Sequence, residues 1–172
     1  PPIEQPHNGR AMQLAVDLSG SMQTPAMVLE GQSVSRFQAV KAIAGDFINR
    51  RKGDELGLVL FGSQAYLVTP LTYDLSAVSA QLDSSQVGIA GQQTAIGDAI
   101  AIATKRLMDL PMEQRVLILL TDGVSNSGSL SPDDAASAAK AAGVRIYTIG
   151  IGADQLQAGV FRPAATLSLE IE

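Results

Sequence analysis

Four short apolar runs constrain the fold of this chain more than any other feature of its sequence. Hydrophobic residues dominate each run, and the run at 116–120 consists of them alone, as in a strand that is buried on both faces. The runs span residues 12–18, 56–61, 116–120 and 144–151. Because helical patterns separate them, the sequence predicts an α/β domain with a doubly wound, mostly parallel sheet.

The helical patterns between the runs carry recognisable start signals. Ser35 and Gln38 have the spacing of a capping box, and apolar residues at helical intervals follow them as far as Ile48. Further helices are predicted over 74–82, from just after Thr94, and from Ser131 to Gly143. A short strand is predicted over 65–68. The turn before it is too short to hold a crossover helix, so this strand should run antiparallel at the edge of the sheet.

Composition argues against several classes of function. Among the 172 residues, 17 acidic side chains outnumber 12 basic ones, and the longest basic cluster is Arg50-Arg51-Lys52. This balance argues against nucleic acid as a partner. The chain contains no Cys, so neither a disulfide nor a zinc–thiolate site can form. Its one His, His7, lies in a proline-containing leader, which argues against a Ser-His-Asp triad.

Oxygen-bearing side chains follow two of the apolar runs. Asp17, Ser19 and Ser21 stand at alternate positions at the end of the first run, and Asp122 follows the third. Open α/β sheets bind ligands at the carboxyl ends of strands, where the winding direction reverses. We expect that point to fall between these two strands, with Thr94 on the loop that feeds the intervening helix. Carboxylate and hydroxyl oxygens suit Mg²⁺, Mn²⁺ or Ca²⁺ better than Zn²⁺.

This set of residues resembles the metal-ion-dependent adhesion site of von Willebrand factor type A domains. The chain is more closely similar to the bacterial Bat aerotolerance proteins, particularly the BatA type, over roughly residues 10–152. The motifs that carry the resemblance are Ala15-Val16-Asp17-Leu18-Ser19-Gly20-Ser21-Met22, Arg50-Arg51-Lys52-Gly53-Asp54, Leu60-Phe61-Gly62-Ser63-Gln64-Ala65-Tyr66, Thr94-Ala95-Ile96-Gly97-Asp98-Ala99-Ile100, Leu119-Leu120-Thr121-Asp122-Gly123 and Tyr147-Thr148-Ile149-Gly150.

The resemblance implies a Rossmann-like von Willebrand type A fold and a non-enzymatic, metal-dependent module for protein interaction. It implies that Ser19, Ser21 and Thr94 reach a divalent ion, Mg²⁺ or else Mn²⁺ or Ca²⁺, directly or through water. Asp17 and Asp122 would act largely through water and through hydrogen bonds to these ligands. One coordination position would stay open for an Asp or Glu of a protein partner.

The resemblance also implies a setting in the bacterial envelope. Bat proteins are anchored in the inner membrane with this domain in the periplasm. They are associated with other Bat proteins and with MoxR-type ATPases, in stress tolerance or envelope-complex assembly. We predict a leader at 1–10, the domain at 11–152 and an irregular tail at 153–172.

Two departures from the family pattern shape our expectation of the chain ends. No apolar run is long enough to span a membrane, and the tail lacks the amphipathic pattern of the family's final helix and strand. We therefore expect a trimmed fragment whose sheet lacks that last strand.

Two other classes of function stay open at this level. A metal-dependent hydrolase or phosphatase could use Asp17 as a nucleophile, but it would need an acid or base partner that the sequence does not show. A purely structural domain could keep the site without using it. Among neighbouring residues, Asp98 is expected to balance a helix dipole rather than support the site. Ser63 and Gln64 fit a rim contact or a plain turn equally well.

Overall fold

The computed structural model describes residues 10–29, 31–123, 125–151 and 167–168, and the account below concerns these residues. The strands are β1 (Ala11–Asp17), β2 (Pro25–Leu29), β3 (Gln32–Ser35), β4 (Glu55–Phe61), β5 (Ala65–Thr72), β6 (Val116–Thr121), β7 (Arg145–Gly150) and β8 (Leu167–Ser168). The α-helices are α1 (Arg36–Asn49), α2 (Leu75–Asp83), α3 (Ile96–Leu107) and α4 (Pro132–Ala141). Short 3₁₀ turns span Gly20–Gln23 and Met112–Gln114.

Six of the strands form one sheet in the order β5-β4-β1-β6-β7-β8. The four central strands are parallel, and β5 and β8 pair antiparallel with their neighbours at the two edges. The predicted α/β class, the mostly parallel sheet and the antiparallel edge strand are therefore confirmed. The chain winds from β1 outward to β5 and returns to β6 on the other side of β1. The switch point lies between β1 and β6, as predicted.

Two apolar layers bury the sheet, one on each face. Met12, Leu14 and Val16 of β1 pack in the same layer as α1 and α2, while Ala15 packs in the layer of α3 and α4. This division follows from the alternation of side chains along a strand. Because both faces are covered, β1 and β6 are buried along their whole length. Burial on both faces explains why β6 is apolar over 116–120 and why β1 is mostly apolar, with Gln13 and Asp17 as its buried polar residues.

Two local features differ from the sequence-based expectation. Residues 20–35, for which the sequence predicted neither a strand nor a helix, contain an antiparallel hairpin of β2 and β3. The edge strand β5 extends to Thr72, past Pro70, whereas the prediction ended it at Val68. Proline lacks a backbone N–H and is tolerated in edge strands, where one side of the backbone has no neighbour. That exception explains why the prediction of β5 was too short.

Residues 1–9 of the predicted leader and most of the predicted tail lie outside the described residues, as does the segment where a closing helix would fall. At the described end, β8 adds two residues to the sheet beside Tyr147 and Thr148 of β7. No helix in the described part of the chain is long and apolar enough to cross a membrane.

Candidate metal centre

Asp17 is fully buried at the carboxyl end of β1. Its Oδ1 accepts a hydrogen bond from the Ser19 N–H at 2.8 Å, and its Oδ2 accepts one from the Thr121 hydroxyl at 2.8 Å. Both carboxyl oxygens are therefore engaged within the protein. Asp17 fixes the start of the loop that carries Ser19 and ties the end of β1 to the end of β6.

Burial raises the pKa of Asp17 above its ordinary value because the low-dielectric interior disfavours the charged carboxylate. Hydrogen bonds from Ser19 and Thr121 oppose the rise in this pKa, and the negative charge of Asp122 adds to it. A buried carboxylate with a raised pKa gains from any cation placed beside it. The electrostatics at this point therefore favour a bound positive charge.

Ser19, Ser21 and Asp122 form a continuous chain of contacts at the same edge of the sheet. Ser19 Oγ lies 3.2 Å from Ser21 Oγ, and the Ser21 hydroxyl donates to Asp122 Oδ1 at 3.0 Å. Two neighbouring ligands of an octahedral Mg²⁺, each about 2.1 Å from the ion, lie about 3 Å apart. The two serine hydroxyls have this separation, so the residues present fit such an ion.

Thr94 joins this edge through its loop. Its side chain is nearly buried, and its N–H donates to Asn126 Oδ1 at 2.8 Å, while its carbonyl accepts from the Asn126 N–H at 2.9 Å. Two residues earlier, the Gln92 carbonyl accepts from the Gly20 N–H at 3.0 Å. The Thr94 loop is therefore bonded both to the Ser19–Ser21 turn and to the segment after Asp122.

Close backbone packing holds the Thr94 loop against the turn after β4. A Cβ added at Gly62 would lie 2.5 Å from the Gly91 carbonyl oxygen, so only glycine fits there. The Gly62 carbonyl accepts from the Ala95 N–H at 2.7 Å, and Ser63 Oγ accepts from the Gln93 N–H at 3.0 Å. Of the two roles considered for Ser63, the structure shows a contact with the site loop.

Asp98 stands in the first turn of α3, as expected, and it has a second role. Its carboxylate accepts hydrogen bonds from the backbone N–H groups of Ser129 and Leu130, each at 3.0 Å from Oδ1. It therefore anchors the loop that follows Asp122, in addition to standing in the first turn of α3. Nothing in the sequence indicated these partners, because they lie 31 and 32 positions away along the chain.

Arg36 is the residue of the site that sequence reasoning missed. It is the first residue of α1, and its Nη1 donates to Asp122 Oδ2 at 2.8 Å. The Asp122 side chain is 1% exposed and that of Arg36 24% exposed. No spacing rule connects positions 36 and 122, because the contact depends on how the start of α1 meets the end of β6. The capping box around Arg36 predicted the start of α1 but not the contact between Arg36 and Asp122.

The residue chemistry of the centre is dominated by oxygen. Within the described ranges no three His, Cys, Asp or Glu side chains gather as a metal site. Asp17, Ser19, Ser21 and Asp122 are linked by direct contacts, and Thr94 is held on the adjoining loop. Hydroxyl and carboxylate oxygens without nitrogen or sulfur favour a hard cation.

Comparison with known proteins identifies the family. Residues 12–125, well over half of the chain, match the von Willebrand factor type A domain family. The chain belongs to this family.

Solved structures of bacterial membrane proteins are similar to the type A domain. One is an aerotolerance-related membrane protein from Bacteroides fragilis, with a TM-score of 0.72 and 27% identity over 84% of this chain and 68% of that one. Another is a membrane-spanning protein from Vibrio fischeri, with a TM-score of 0.56 and 50% identity over 83% of this chain and 70% of that one. The predicted resemblance to Bat aerotolerance proteins is thus confirmed, since an aerotolerance-related protein is among the similar structures.

A further neighbour carries a metal. Proximal thread matrix protein 1 from the mussel byssus has a structure with a zinc-occupied metal-ion-dependent adhesion motif. Its TM-score is 0.65, with 30% identity over 83% of this chain and 36% of that one. Type A domains similar to this one therefore include one with a divalent metal at that motif.

The chain spans less than half the length of the curated relatives that it matches. A Borreliella burgdorferi protein is 33% identical over 147 residues, which are 86% of this chain and 42% of that protein. A Mycolicibacterium paratuberculosis protein is 31% identical, over 87% of this chain and 47% of that protein.

Proposed function

We propose that this type A domain is a protein-interaction module that binds one divalent cation and presents it to an acidic side chain of a partner. The metal would be held by Ser19, Ser21 and Thr94, with Asp17 and Asp122 supporting these ligands. The observation that carries the proposal is the 3.2 Å separation of the two serine hydroxyls, both bonded into one network with the two aspartates.

We infer that Mg²⁺ is the ion, or Mn²⁺ or Ca²⁺ at the same position. The zinc in the mussel protein shows what that site accepts, not which metal this site prefers. Neutral hydroxyl ligands leave a hard cation without a directly bound negative charge. A carboxylate from a partner can then complete its coordination.

We propose a non-enzymatic role because Asp17, the candidate nucleophile, is enclosed by the protein. Asp17 is fully buried and both its oxygens accept hydrogen bonds inside the protein, so a substrate does not reach it in this structure. Assays with phosphomonoester, nucleotide and peptide substrates should show only background rates. Metal-dependent turnover lost in Asp17→Asn would favour the hydrolase alternative.

For the whole protein we propose a membrane-anchored, Bat-like parent with this domain in the periplasm. Its partners would be other Bat proteins or a complex with a MoxR-type ATPase, in stress tolerance or envelope-complex assembly. Two of the similar solved structures are membrane proteins, which supports the anchoring. The net charge of −5 supports a protein partner rather than nucleic acid.

Calorimetric titration with Mg²⁺ and Mn²⁺ tests the metal site. One ion per chain should bind, and a free-ion concentration 100 times Kd should stabilise the fold by about 2.7 kcal/mol. Ser19→Ala should weaken binding, whereas Ser84→Ala, on the exposed end of α2, should bind as wild type does. Absence of saturable binding to wild type would refute the metal site.

A capture experiment with immobilised domain tests the partner. Envelope extract is applied with Mg²⁺ or with a chelator, and the retained proteins are identified. We expect a protein whose retention needs Mg²⁺ and is lost when one acidic residue of that protein is replaced. Equal retention with and without the metal would place the interface elsewhere on the domain.

A further inference from the structure

Arg36 places a positive charge on the carboxylate at the edge of the metal centre. Its Nη1 lies 2.8 Å from Asp122 Oδ2, while Asp122 Oδ1 accepts from Ser21. The two oxygens of Asp122 are thus divided between an internal cation and a hydroxyl of the candidate metal site. The carboxylate itself is almost fully buried, so solvent does little to screen the pair.

The position of Arg36 is fixed by the backbone. Ser35 and Gln38 form a complete capping box at the start of α1, and the Arg36 N–H donates to the Thr24 carbonyl at 2.9 Å. Arg36 Nε is buried without a hydrogen-bond partner. The side chain thus keeps one donor unsatisfied while its Nη1 contacts Asp122. The contact with Asp122 is therefore the main polar interaction of this guanidinium.

The charge of Arg36 changes the net charge of the centre when a metal ion is bound. Ionised Asp17 and Asp122 together would cancel the charge of one divalent cation. With Arg36 included, the occupied centre carries one net positive charge. A centre of this kind holds its cation less tightly, and it attracts an incoming carboxylate more strongly than a neutral centre does.

We propose that Arg36 is a positioning and charge-setting residue that lowers the affinity of the centre for its metal and raises its affinity for an anionic partner group. This inference rests on the proposed metal site and adds a residue that the metal-binding motif does not contain. Its distinctive consequence is that loss of Arg36 changes the two affinities in opposite directions. A residue with a merely structural role would weaken both.

Two titrations of the purified domain test the inference. In the first, Mn²⁺ alone is titrated and free Mn²⁺ is followed by electron paramagnetic resonance. In the second, acetate is titrated into Mn²⁺-saturated protein, and displacement of metal-bound water is followed by water-proton relaxation, with chloride as the ionic-strength control. The proteins compared are wild type, Arg36→Gln, Arg36→Lys and Arg50→Gln.

Arg50→Gln is the matched control, since it removes the same charge from the other end of α1, where the Arg50 side chain is 74% exposed. We expect Arg36→Gln to bind Mn²⁺ about fivefold more tightly and acetate about fivefold more weakly than wild type. Arg36→Lys should restore most of the acetate affinity, and Arg50→Gln should match wild type in both titrations.

Each outcome separates the two proposals. If wild type does not bind Mn²⁺, the metal site fails and the role of Arg36 fails with it. If wild type binds Mn²⁺ but Arg36→Gln weakens both affinities or changes neither, the metal site stands and the role of Arg36 is refuted. Should Arg36→Gln fail to fold, Arg36→Met keeps the packing of the aliphatic stem and carries the same expectation.

Discussion

Two arginines mark the two ends of the central strand β6. Arg115 immediately precedes the strand, and Arg36 contacts Asp122, which immediately follows it. Arg115 donates to three backbone carbonyls, those of Met108 and Leu110 after α3 and that of Ala142 after α4. Arg36 donates to one carboxylate and keeps a buried Nε without a partner.

The difference separates a stabilising end of the sheet from a binding end. Carbonyls at the C-terminal ends of helices lack intrahelical partners and carry partial negative charge, so a cation that bonds several of them joins helices at little electrostatic cost. At the other end, two carboxylates and one guanidinium lie beside a pair of hydroxyls. Ionised groups kept close together there are unfavourable for the metal-free fold, and a cation from solution can relieve them.

Arg115→Ala should give the largest loss of stability. Removing the guanidinium leaves three carbonyls without their donor, and we expect the free energy of unfolding to fall by about 2–4 kcal/mol. Urea denaturation should show the same loss with and without Mg²⁺, since the residue lies at the end of β6 away from the metal centre. Arg145→Ala, on the exposed start of β7, is the control and should change stability by less than about 0.5 kcal/mol.

If Mg²⁺ reduced the difference in stability between Arg115→Ala and wild type, the two ends of β6 would be energetically coupled. The division of β6 into a stabilising end and a binding end would then be wrong.

Arg36→Gln should have a smaller effect that depends on the metal. In chelator, Asp122 loses its counter-charge while it stays buried, and we expect a loss of about 1–2 kcal/mol in the free energy of unfolding. With saturating Mg²⁺ the cation replaces the missing positive charge, and most of that loss should be recovered. Thermal unfolding of wild type and variant, each with Mg²⁺ and with chelator, measures the recovery. A loss that is equal in both conditions would make Arg36 a structural residue like Arg115.

Asp17→Asn should change stability in a direction set by pH. Burial holds the pKa of Asp17 in the fold above its ordinary value of 3.8. A raised pKa means that its contribution to stability is fully present below the ordinary value and is lost as pH rises through the pKa of the folded state. In chelator at pH 7, Asp17→Asn should therefore be at least as stable as wild type.

On acidification toward pH 4, wild type should gain stability relative to Asp17→Asn. Urea denaturation across this pH range gives the comparison, and the same variant should lose stabilisation by Mg²⁺. A variant clearly less stable than wild type in chelator at pH 7 would contradict the burial argument.

Most of the fold could be predicted because burial on both faces leaves a strong local signal. The runs that became β1, β4 and β6 are mostly apolar and almost wholly buried, whereas the side chains of β7 are exposed or half-buried. The capping residues Ser35 and Ser131 begin their helices as predicted. The β2–β3 hairpin left no such signal. The β3 side chains are exposed or half-buried, and Val28 of β2 is 69% exposed, so these described positions carry no buried pattern that the sequence could show.

The candidate site likewise has a part that the sequence could predict and a part that it could not. Asp17, Ser19, Ser21 and Asp122 could be placed together because they lie at the end of β1 or β6 or shortly after it, and adjacent parallel strands end at the same edge. The partners of these residues could not be predicted. Arg36 reaches Asp122 across the start of α1, and Asn126 holds the backbone of Thr94 from another loop. Such contacts depend on three-dimensional packing rather than on spacing along the chain.

Arg50→Gln, at a third arginine, should have the smallest effect on the free energy of unfolding. Arg50 pairs with Asp46 at 3.0 Å at the end of α1, with both side chains more than half exposed. Exposed ion pairs of this kind are screened by water and salt and stabilise by less than about 0.5 kcal/mol. We expect a loss within that range that disappears in 0.5–1 M salt or so, where the screening length shrinks to a few ångströms. Denaturation at low and high salt measures it. A loss as large as that of Arg36→Gln would mean that any charge removed from α1 destabilises the domain, and the special position of Arg36 beside Asp122 would then explain nothing.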